Sequence, residues 1–278
     1  MDEDSKDLAG GMQVRRPLSG LEATLLSSLS SRGRNIFTLD DVMDSLDVSY
    51  DYAKVIVNRL VKKSWVIQLA RGKYLIVPLE AGVRGQYSEH GFVVASHLVE
   101  PYYVGYLSAL NHHGLTELVP NTIYVATTKR RRDRTILYRR FHFVTIREEK
   151  MFGAMEVSIS GSVVRISDPE KTIVDCLDHP EYCNGVEEVA ESIFFEHGEL
   201  DIERILGYAE KIGNRTVIKR LGYVLEKLGI EEYDELFRGI QLSKGYPKLD
   251  PTQPEEGAYN TEWGLQINTD INPRRWIQ

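Results

Sequence analysis

The side chains in this sequence that could do chemistry are few. Glu148 and Lys150 form a Glu-x-Lys pair at the end of a strand-like run, and Asp133 precedes them. Acidic groups and a lysine that converge on a divalent ion are typical of metal-dependent nucleases, so these three residues define an enzyme alternative. Asp133 lies inside a run of arginines, however, where an ion pair is the simpler use of its carboxylate.

The other candidates for chemistry are the adjacent residues His112 and His113. Neighbouring side chains on a helix point in different directions, so the pair does not predict a metal site or a general base. The chain shows no glycine-rich phosphate loop, no Ser-His-Asp order and no nucleophile elbow. We therefore predict no catalytic residues, no metal and no cofactor, and a protein that is not an enzyme.

Composition sets the frame for a function based on binding. The 278 residues predict about two domains, 42% of residues are hydrophobic and 27% are charged, as in ordinary globular proteins. No apolar run is long enough to span a bilayer, and the acidic start does not resemble a secretory signal, so we expect a soluble, cytoplasmic protein without a membrane partner. Cys176 and Cys183 can form a disulfide, but in a reducing cytoplasm two free thiols are the favoured expectation.

The most informative charge pattern is local. The net charge is -7, yet the stretch from Tyr52 to Tyr74 holds six Lys or Arg residues and neither Asp nor Glu. Its pattern predicts a helix, a strand, a tight Arg71-Gly72-Lys73 turn and a second strand. A helix followed by a basic hairpin is what a winged helix-turn-helix presents to a DNA groove and the flanking phosphates.

The preceding residues complete such a domain. Leucines recur at helical spacing after Leu18, and Ser19 with Glu22 form a capping box. Asn35–Phe37 predict a short strand, and Thr38 or Asp40 caps a second helix. A third helix runs from about Ser49 to Lys63, with Ala53, Ile56, Val57 and Leu60 on its inner face.

The outer face of the third helix supplies the predicted DNA contacts. Asn58 is the best candidate for reading a base, because its amide can pair with adenine in the major groove. Lys54 and Lys62 are expected to contact phosphates, as are the cations of the wing. The full set of predicted DNA-binding residues is Tyr50, Tyr52, Lys54, Asn58, Lys62, Arg71 and Lys73. Two alternatives stay open: a merely solvated basic face, and an interaction domain that never touches DNA.

The second domain reads as α+β. A helix near Tyr102–Gly114 is followed by strand-like runs at Thr122–Thr128, Ile136–Ile146, Met155–Ser160 and Val163–Ser167, which predict an antiparallel sheet. Asp168-Pro169 begins a helix, and three further helices near 185–197, 201–212 and 215–228 predict a helical bundle.

A second basic run joins two of these strands. It comprises Lys129, Arg130, Arg131, Arg132 and Arg134, interrupted by Asp133. The run is either a solvated hairpin loop or a second patch that contacts phosphates, RNA or a protein partner. Phosphate contacts would make binding steeply dependent on salt.

Several segments together resemble one family, the AbiEi-type antitoxins. They are YYVGYLSALNHHGLTE, IYVAT followed by a basic run, VRISDPEKTIVDCLDHPEYCNGVEEV, RLGYVLEKLG and a winged helix that ends in GKYLIVP. They occur in order over roughly residues 20–230, which makes the resemblance more specific than any single motif.

The resemblance implies a transcriptional autorepressor and antitoxin of a type IV toxin–antitoxin pair. Such antitoxins bind inverted repeats in their own promoter as double-stranded operator DNA, and they counter a nucleotidyltransferase-like toxin without forming a stable complex. The second domain would then supply antitoxicity and cooperative assembly, in keeping with a homodimer. A transcription factor with no toxin partner remains an alternative.

The predicted organisation has four parts. Residues 1–16 form a flexible N-terminus, 17–80 the winged helix-turn-helix, 81–243 the α+β antitoxin domain, and 244–278 an extended arm. The arm departs from the family pattern, but its Trp263 and Trp276 argue against complete disorder. It is expected to pack on its own sheet or on a second subunit.

Overall fold

The computed structural model describes residues 15–77, 90–136, 139–230 and 234–277. The chain divides into an N-terminal unit, Met1–Leu98 with Thr135–Arg139, and a C-terminal unit, Val99–Arg134 with Arg140–Gln278. The predicted flexible N-terminus up to residue 14 and the predicted boundary at residue 80 lie outside the described residues. The four-part division therefore stays a prediction.

The N-terminal unit has the element order of a winged helix. Its elements are α1 (Gly20–Ser31), β1 (Ile36–Thr38), α2 (Leu39–Leu46), α3 (Tyr50–Lys62), β2 (Val66–Ala70), β3 (Lys73–Ile76) and α4 (Gly91–Ser96). The three strands form one antiparallel sheet in the order β1-β3-β2.

Local sequence explains where these helices begin. Ser19 and Glu22 form the expected capping box on α1, because the serine side chain accepts from the amide of Glu22 and the glutamate accepts from the amide of Ser19. Thr38 and Asp41 repeat the arrangement on α2. Asp47 then takes a left-handed conformation between α2 and α3, which turns the chain sharply and brings α3 back across α2.

The sequence places the apolar residues Trp65, Ile67 and Leu69 at alternate positions, but strand β2 does not bury them as one set. Val66 and Leu69 are the buried residues, whereas Trp65 and Ile67 are only partly covered. The register between β2 and β3 shifts between Gln68 and Ala70. An extra residue at such a bulge rotates the side chains that follow, so the period of two is broken there.

From residue 99 onward, most strands lie before residue 168 and most helices after it. The elements are β4 (Tyr103–Val104), α5 (Tyr106–His112), β5 (Thr122–Thr127), β6 (Arg134–Ile136), β7 (Arg139–Thr145), β8 (Ala154–Ile159), β9 (Ser162–Ser167), α6 (Pro169–Asp178), α7 (Val186–Glu196), α8 (Ile202–Lys211), α9 (Arg215–Leu228), α10 (Asp234–Phe237), β10 (Ala258–Asn260) and β11 (Leu265–Ile267). The α+β class and the C-terminal helical bundle predicted from the sequence are confirmed.

The main sheet has the strand order β6-β7-β5-β4-β9-β8. It contains the expected antiparallel β8–β9 hairpin, but β5 pairs with β7 and β4 pairs with β9 in parallel. The sheet is therefore mixed. The run predicted as one strand from Ile136 to Ile146 is divided between the end of β6 and β7.

The tail beyond residue 244 packs on the helical core of its own unit. Leu249, Leu265 and Ile271 are at most 5% exposed and belong to the same apolar cluster as helices α6–α9. The ring of Trp263 lies against the backbone of Gly222 on α9, and its indole Nε1 donates to Glu226 at 2.6 Å. The arm packs within its own unit, but on the helices and not on the sheet that the sequence-based expectation named. Among the described helices, none has both the length and the apolar character that a bilayer crossing requires.

Candidate nucleic-acid interface

Helix α3 is held by one face and presents the other to solvent. Ser49 caps its start by accepting from the amide of Tyr52 at 3.4 Å. Ala53, Ile56, Val57 and Leu60 are at most 1% exposed and belong to the apolar cluster of the N-terminal unit. This inner face has the residues predicted from helical spacing, and it fixes which side chains point outward.

The outward face carries the predicted contact residues. Tyr50, Tyr52, Lys54, Asn58 and Lys62 are all exposed, with Tyr50 at 52% and Tyr52 at 43%. Lys54, Asn58 and Lys62 follow one another at four-residue steps along one side of the helix and can meet a groove together, with Tyr50 and Tyr52 flanking them near its start. Tyr50 also lies near Tyr74, whose pKa is raised by burial and by that neighbouring hydroxyl.

Three further side chains share this face and were missed from the sequence. Val55 is 42% exposed, and Arg59 and Asp51 are also exposed. Residues 55, 59 and 62 follow helical spacing, so Arg59 lies in the row of Val55, beside the row that holds Asn58 and Lys62. Arg59 lies four positions after the exposed Val55, so helical spacing predicts that it is exposed too. The steps of four residues that start at Lys54 do not include it.

The hairpin of β2 and β3 forms the wing. Gly72 occupies its turn at φ +75°, a backbone conformation that favours glycine. Arg71 at the tip is exposed, whereas Lys73 is half-buried at the start of β3. Burial lowers the pKa of His97, and the nearby charge of Lys73 lowers it further. The two wing cations therefore differ: Arg71 is free to reach outward, and Lys73 lies closer to the body of the unit.

The cation just after α3 has a structural role. Lys63 donates to the carboxylate of Glu22 at 2.6 Å, and that carboxylate is buried at 3% exposure. Burial raises the pKa of Glu22, but hydrogen bonds from Lys63 and Ser19 outweigh it and hold the pKa below its ordinary value. One of the six cations in the basic stretch therefore links α3 to α1.

The second basic run belongs to the C-terminal unit and is largely exposed to solvent. Lys129 to Arg132 are exposed, and Arg134 is half-buried, with a pKa lowered by burial and by Arg131. Asp133 accepts from Arg140 at 2.7 Å and contacts Nδ1 of His142 at 2.9 Å. The expected ion pair of Asp133 is thus present, with partners on β7 rather than in the run itself.

The nuclease alternative gains no support from this geometry. Asp133 is engaged with Arg140 and His142, while Lys150 donates to Asp178 at 2.5 Å. Glu148 begins a short 3-10 helix. In the part of the chain that the structure describes, no group of three or more His, Cys, Asp or Glu side chains is placed to hold a metal ion.

Family models match residues in both units of the chain. Residues 25–77 match the model described as "Transcriptional regulator, AbiEi antitoxin", and residues 103–227 match that of the "AbiEi antitoxin C-terminal domain". Together the two matches cover more than half of the chain. The chain belongs to the AbiEi antitoxin family. It is thus an antitoxin of the transcriptional-regulator type, as the resemblance in the sequence predicted.

Solved structures give a likeness in fold. The crystal structure of the Rv2827c protein from Mycobacterium tuberculosis is similar at a TM-score of 0.66 and 14% identity, over 97% of this chain and 98% of that one. At such low identity the likeness concerns the fold alone. The comparison with curated proteins found no match.

The SDPEKTIVD segment of the AbiEi C-terminal domain is structural. Asp168 caps α6 by accepting from the amide of Lys171 at 2.7 Å, and Pro169 occupies the first turn, as predicted. Arg204 on α8 donates to the same Asp168 carboxylate at 2.7 Å. Lys171 is fully buried and donates to Asp175 and to the hydroxyl of Tyr103, the latter at 3.1 Å. These polar side chains join the helices rather than face a substrate.

Two further expectations for the AbiEi C-terminal domain can be compared with the structure. Cys176 and Cys183 are paired as a disulfide, so the expectation of free thiols is wrong. Both sulfurs are buried and the 3-10 turn Pro180–Tyr182 brings them together, a proximity that composition does not reveal. His113 contacts the carbonyl of Ser167 through Nε2 at 2.7 Å, which makes it a packing residue.

Proposed function

We propose that this AbiEi antitoxin represses its own operon by docking α3 in the major groove of operator DNA. The observation that carries the proposal is the outward face of α3, where Lys54, Asn58, Arg59 and Lys62 lie together and exposed above a fully buried inner face. The outward residues near the start of such a helix face base edges, and its basic residues reach phosphates.

Each outward side chain then has a distinct task. The Asn58 amide pairs with adenine, and Tyr50 and Tyr52 contact bases near the start of the helix. Lys54 and Lys62 hold phosphates, joined by Arg59. Arg71 and Lys73 of the wing hold the backbone beside the groove, with the exposed Arg71 reaching farther.

The proposal includes a homodimer on inverted repeats. A two-fold axis in the protein matches a two-fold axis in the operator, with half-sites about one helical turn, roughly 10 base pairs, apart or at multiples of that spacing. The basic run Lys129–Arg134 offers the C-terminal unit a further phosphate contact on the same DNA. A repressor of its own operon acts in the cytoplasm.

A gel-shift series tests operator binding. The full chain is titrated onto its own promoter and onto a scrambled duplex of equal length at fixed salt. We expect the promoter to bind at least tenfold more tightly, and the Lys54→Gln, Lys62→Gln double variant to lose most of its affinity for both duplexes. Lys227→Gln, which removes a half-exposed cation of α9, is the matched control. Equal affinity of the wild-type chain for promoter and scrambled DNA would exclude operator recognition.

We further propose that the C-terminal unit counters a nucleotidyltransferase-like toxin without a stable complex. The family match supports the proposal, which is tested by co-expression. The toxin gene is the one next to the chain's own gene. The antitoxin is supplied as the full chain with Lys54→Gln and Lys62→Gln, so that any rescue comes from residues 99–278 and not from operator binding. We expect this variant to restore growth although it does not bind the operator. We also expect the two proteins not to co-elute. Failure to rescue growth would leave a regulator that has no toxin partner.

A further inference from the structure

One face of the main sheet is only partly covered. Along β5 and β7 the side chains alternate between two faces, and the register places Tyr124 opposite His142 and Ala126 opposite Val144. Ala126 and Val144 are at most 4% exposed and belong to the apolar core that the helices share. Two residues earlier on the same strands and the same face, Tyr124 and His142 are only half-buried.

A tyrosine from the turn after α6 joins them. The ring of Tyr182 lies 5.6 Å from that of Tyr124 and 5.1 Å from that of His142, between ring centroids. Tyr106, which is 1% exposed, lies beneath at 5.3 Å from Tyr182 and holds the group from the core side. His179 stacks on Tyr182 at 5.6 Å. Tyr124, His142, His179 and Tyr182 are half-buried, so part of each ring is accessible to solvent, while Tyr106 packs against the group from the core side.

Cations border these rings. Arg140 lies on β7 two residues before His142, on the same face, and its side chain is 61% exposed. Its guanidinium and the His142 imidazole both meet the Asp133 carboxylate, at 2.7 and 2.9 Å. Asp133 therefore fixes the end of the basic run against the rings, and the four residues before it, 129–132, are exposed cations. We name Tyr124, Arg140, His142 and Tyr182 the Tyr124–His142 patch.

From this arrangement we propose that the Tyr124–His142 patch binds a single-stranded polynucleotide, with unpaired bases stacked on its rings and phosphates held by Arg140 and Lys129–Arg132. Aromatic side chains beside a row of cations are the chemistry that recognises unpaired strands, because stacking accepts any base and the cations follow the backbone. A duplex keeps its bases stacked on one another, so it offers the rings nothing and meets only the cations. The site is separate from α3 and does not depend on operator binding.

Fluorescence anisotropy tests the proposal with three probes. They are a 12-nucleotide oligouridylate, a 12-nucleotide oligodeoxyuridylate and a 12-base-pair duplex, each labelled at one end. The full chain carries Lys54→Gln and Lys62→Gln throughout, so that α3 does not obscure the duplex measurement. We expect the single strands to bind more tightly than the duplex, and the two single strands tell whether the 2′-hydroxyl contributes. Duplex binding as tight as that of both single strands would refute the proposal.

Variants separate stacking from charge. Tyr124→Leu and Tyr182→Leu keep apolar bulk but remove the ring, and each should weaken single-strand binding by roughly tenfold. Arg140→Gln should weaken binding and flatten its salt dependence. The matched controls are Tyr246→Leu, a 45% exposed tyrosine elsewhere in the C-terminal unit, and Arg238→Gln, a 75% exposed cation on another element. If the Leu variants bind as tightly as the controls, the rings are not a stacking platform.

A measurement without substitutions in the Tyr124–His142 patch covers the case in which a Leu substitution prevents folding. The Lys54→Gln, Lys62→Gln chain is irradiated with an oligonucleotide that carries 4-thiouridine, and the crosslinked peptide is identified by mass spectrometry. Crosslinks to peptides that contain Tyr124, His142 or Tyr182 support the proposal. Crosslinks confined to other peptides, or none at all, overturn it.

Discussion

Lys171 and Asp175 lie one turn apart on α6 and form an ion pair in the interior of the C-terminal unit. The lysine is fully buried, and the second oxygen of the aspartate accepts from the hydroxyl of Tyr103 at 2.9 Å. Burial raises the pKa of Asp175 despite the opposing effect of Lys171. Through Tyr103 on β4, the pair thus links α6 to the main sheet of this AbiEi antitoxin.

The first prediction concerns this pair. Lys171→Met leaves the buried carboxylate without its cation and should lower the free energy of unfolding by about 3–5 kcal/mol, as urea denaturation followed by circular dichroism would measure. The double variant Lys171→Met, Asp175→Leu removes both charges and should recover much of that loss. A double variant no more stable than the single one would show that the ion pair itself, not the uncompensated charge, dominates.

The second prediction separates base reading from phosphate contact on α3. Asn58→Ala should cost about 1–3 kcal/mol on the operator and little on scrambled DNA, because an amide pairs only with the correct base. Arg59→Gln should weaken binding to both duplexes and reduce the slope of log K against log salt by about 0.9. Arg34→Gln, an exposed arginine of the same unit that pairs with Asp41, is the control. Equal loss on both duplexes for Asn58→Ala would remove Asn58 as a base reader.

The third prediction concerns pH and the link between Glu22 and Lys63. The folded pKa of Glu22 lies below the ordinary value of 4.5, so its ionised form stabilises the fold above that value. This contribution is lost as the pH falls below 4.5 through the folded pKa. Glu22→Gln should therefore be less stable than wild type by about 1–3 kcal/mol at pH 7, with the difference shrinking toward pH 3. Thermal unfolding between pH 3 and 7 checks this, and a difference that is constant with pH would contradict it.

The fourth prediction concerns the disulfide between Cys176 and Cys183. The residues are separated by 7 positions, and closing a loop of that size stabilises a fold by about 2–3 kcal/mol through the unfolded chain. Reductant should therefore lower the stability of the wild-type chain and leave a Cys176→Ser, Cys183→Ser variant unchanged. Urea denaturation with and without dithiothreitol makes the comparison. Equal sensitivity of both proteins would mean that reductant acts elsewhere.

The fifth prediction concerns how the tail is held. A Cβ at Gly222 would overlap the ring of Trp263, so Gly222→Ala should displace the segment around residues 258–267. Limited proteolysis should then cut the tail faster than in wild type. Gly207→Ala on α8 is the matched control, because a Cβ there meets nothing within 4 Å. A tail cut at the same rate in both variants would mean that Trp263 can be accommodated elsewhere.

The elements of the candidate interface could be predicted from the sequence, because their causes are local. The apolar spacing on α3 fixes its inner face, and therefore its outer one. The capping boxes of α1 and α2 involve residues three positions apart. Arg59 was not among the predicted contacts, because those were chosen at steps of four residues, whereas neighbours on one face of a helix are three or four residues apart. Base contacts by Asn58, Tyr50 and Tyr52 stay predictions, since exposure alone does not show what a side chain reads.

The sequence by itself thus determined the winged helix, the α+β order of the second half, the helix starts and the family. These depend on periodicity, caps and motifs within a few residues of one another. Only the tertiary structure decided that Lys63 is taken up by Glu22, 41 positions away, that Asp133 meets Arg140 and His142, and that the cysteines are paired. It also decided that the ring of Tyr182 packs beside that of Tyr124 on the partly covered face of the main sheet. Such contacts depend on the path the folded chain takes between the partners, whether 7 or 41 positions separate them, and no periodic pattern specifies which partner a charge or a half-covered ring will find.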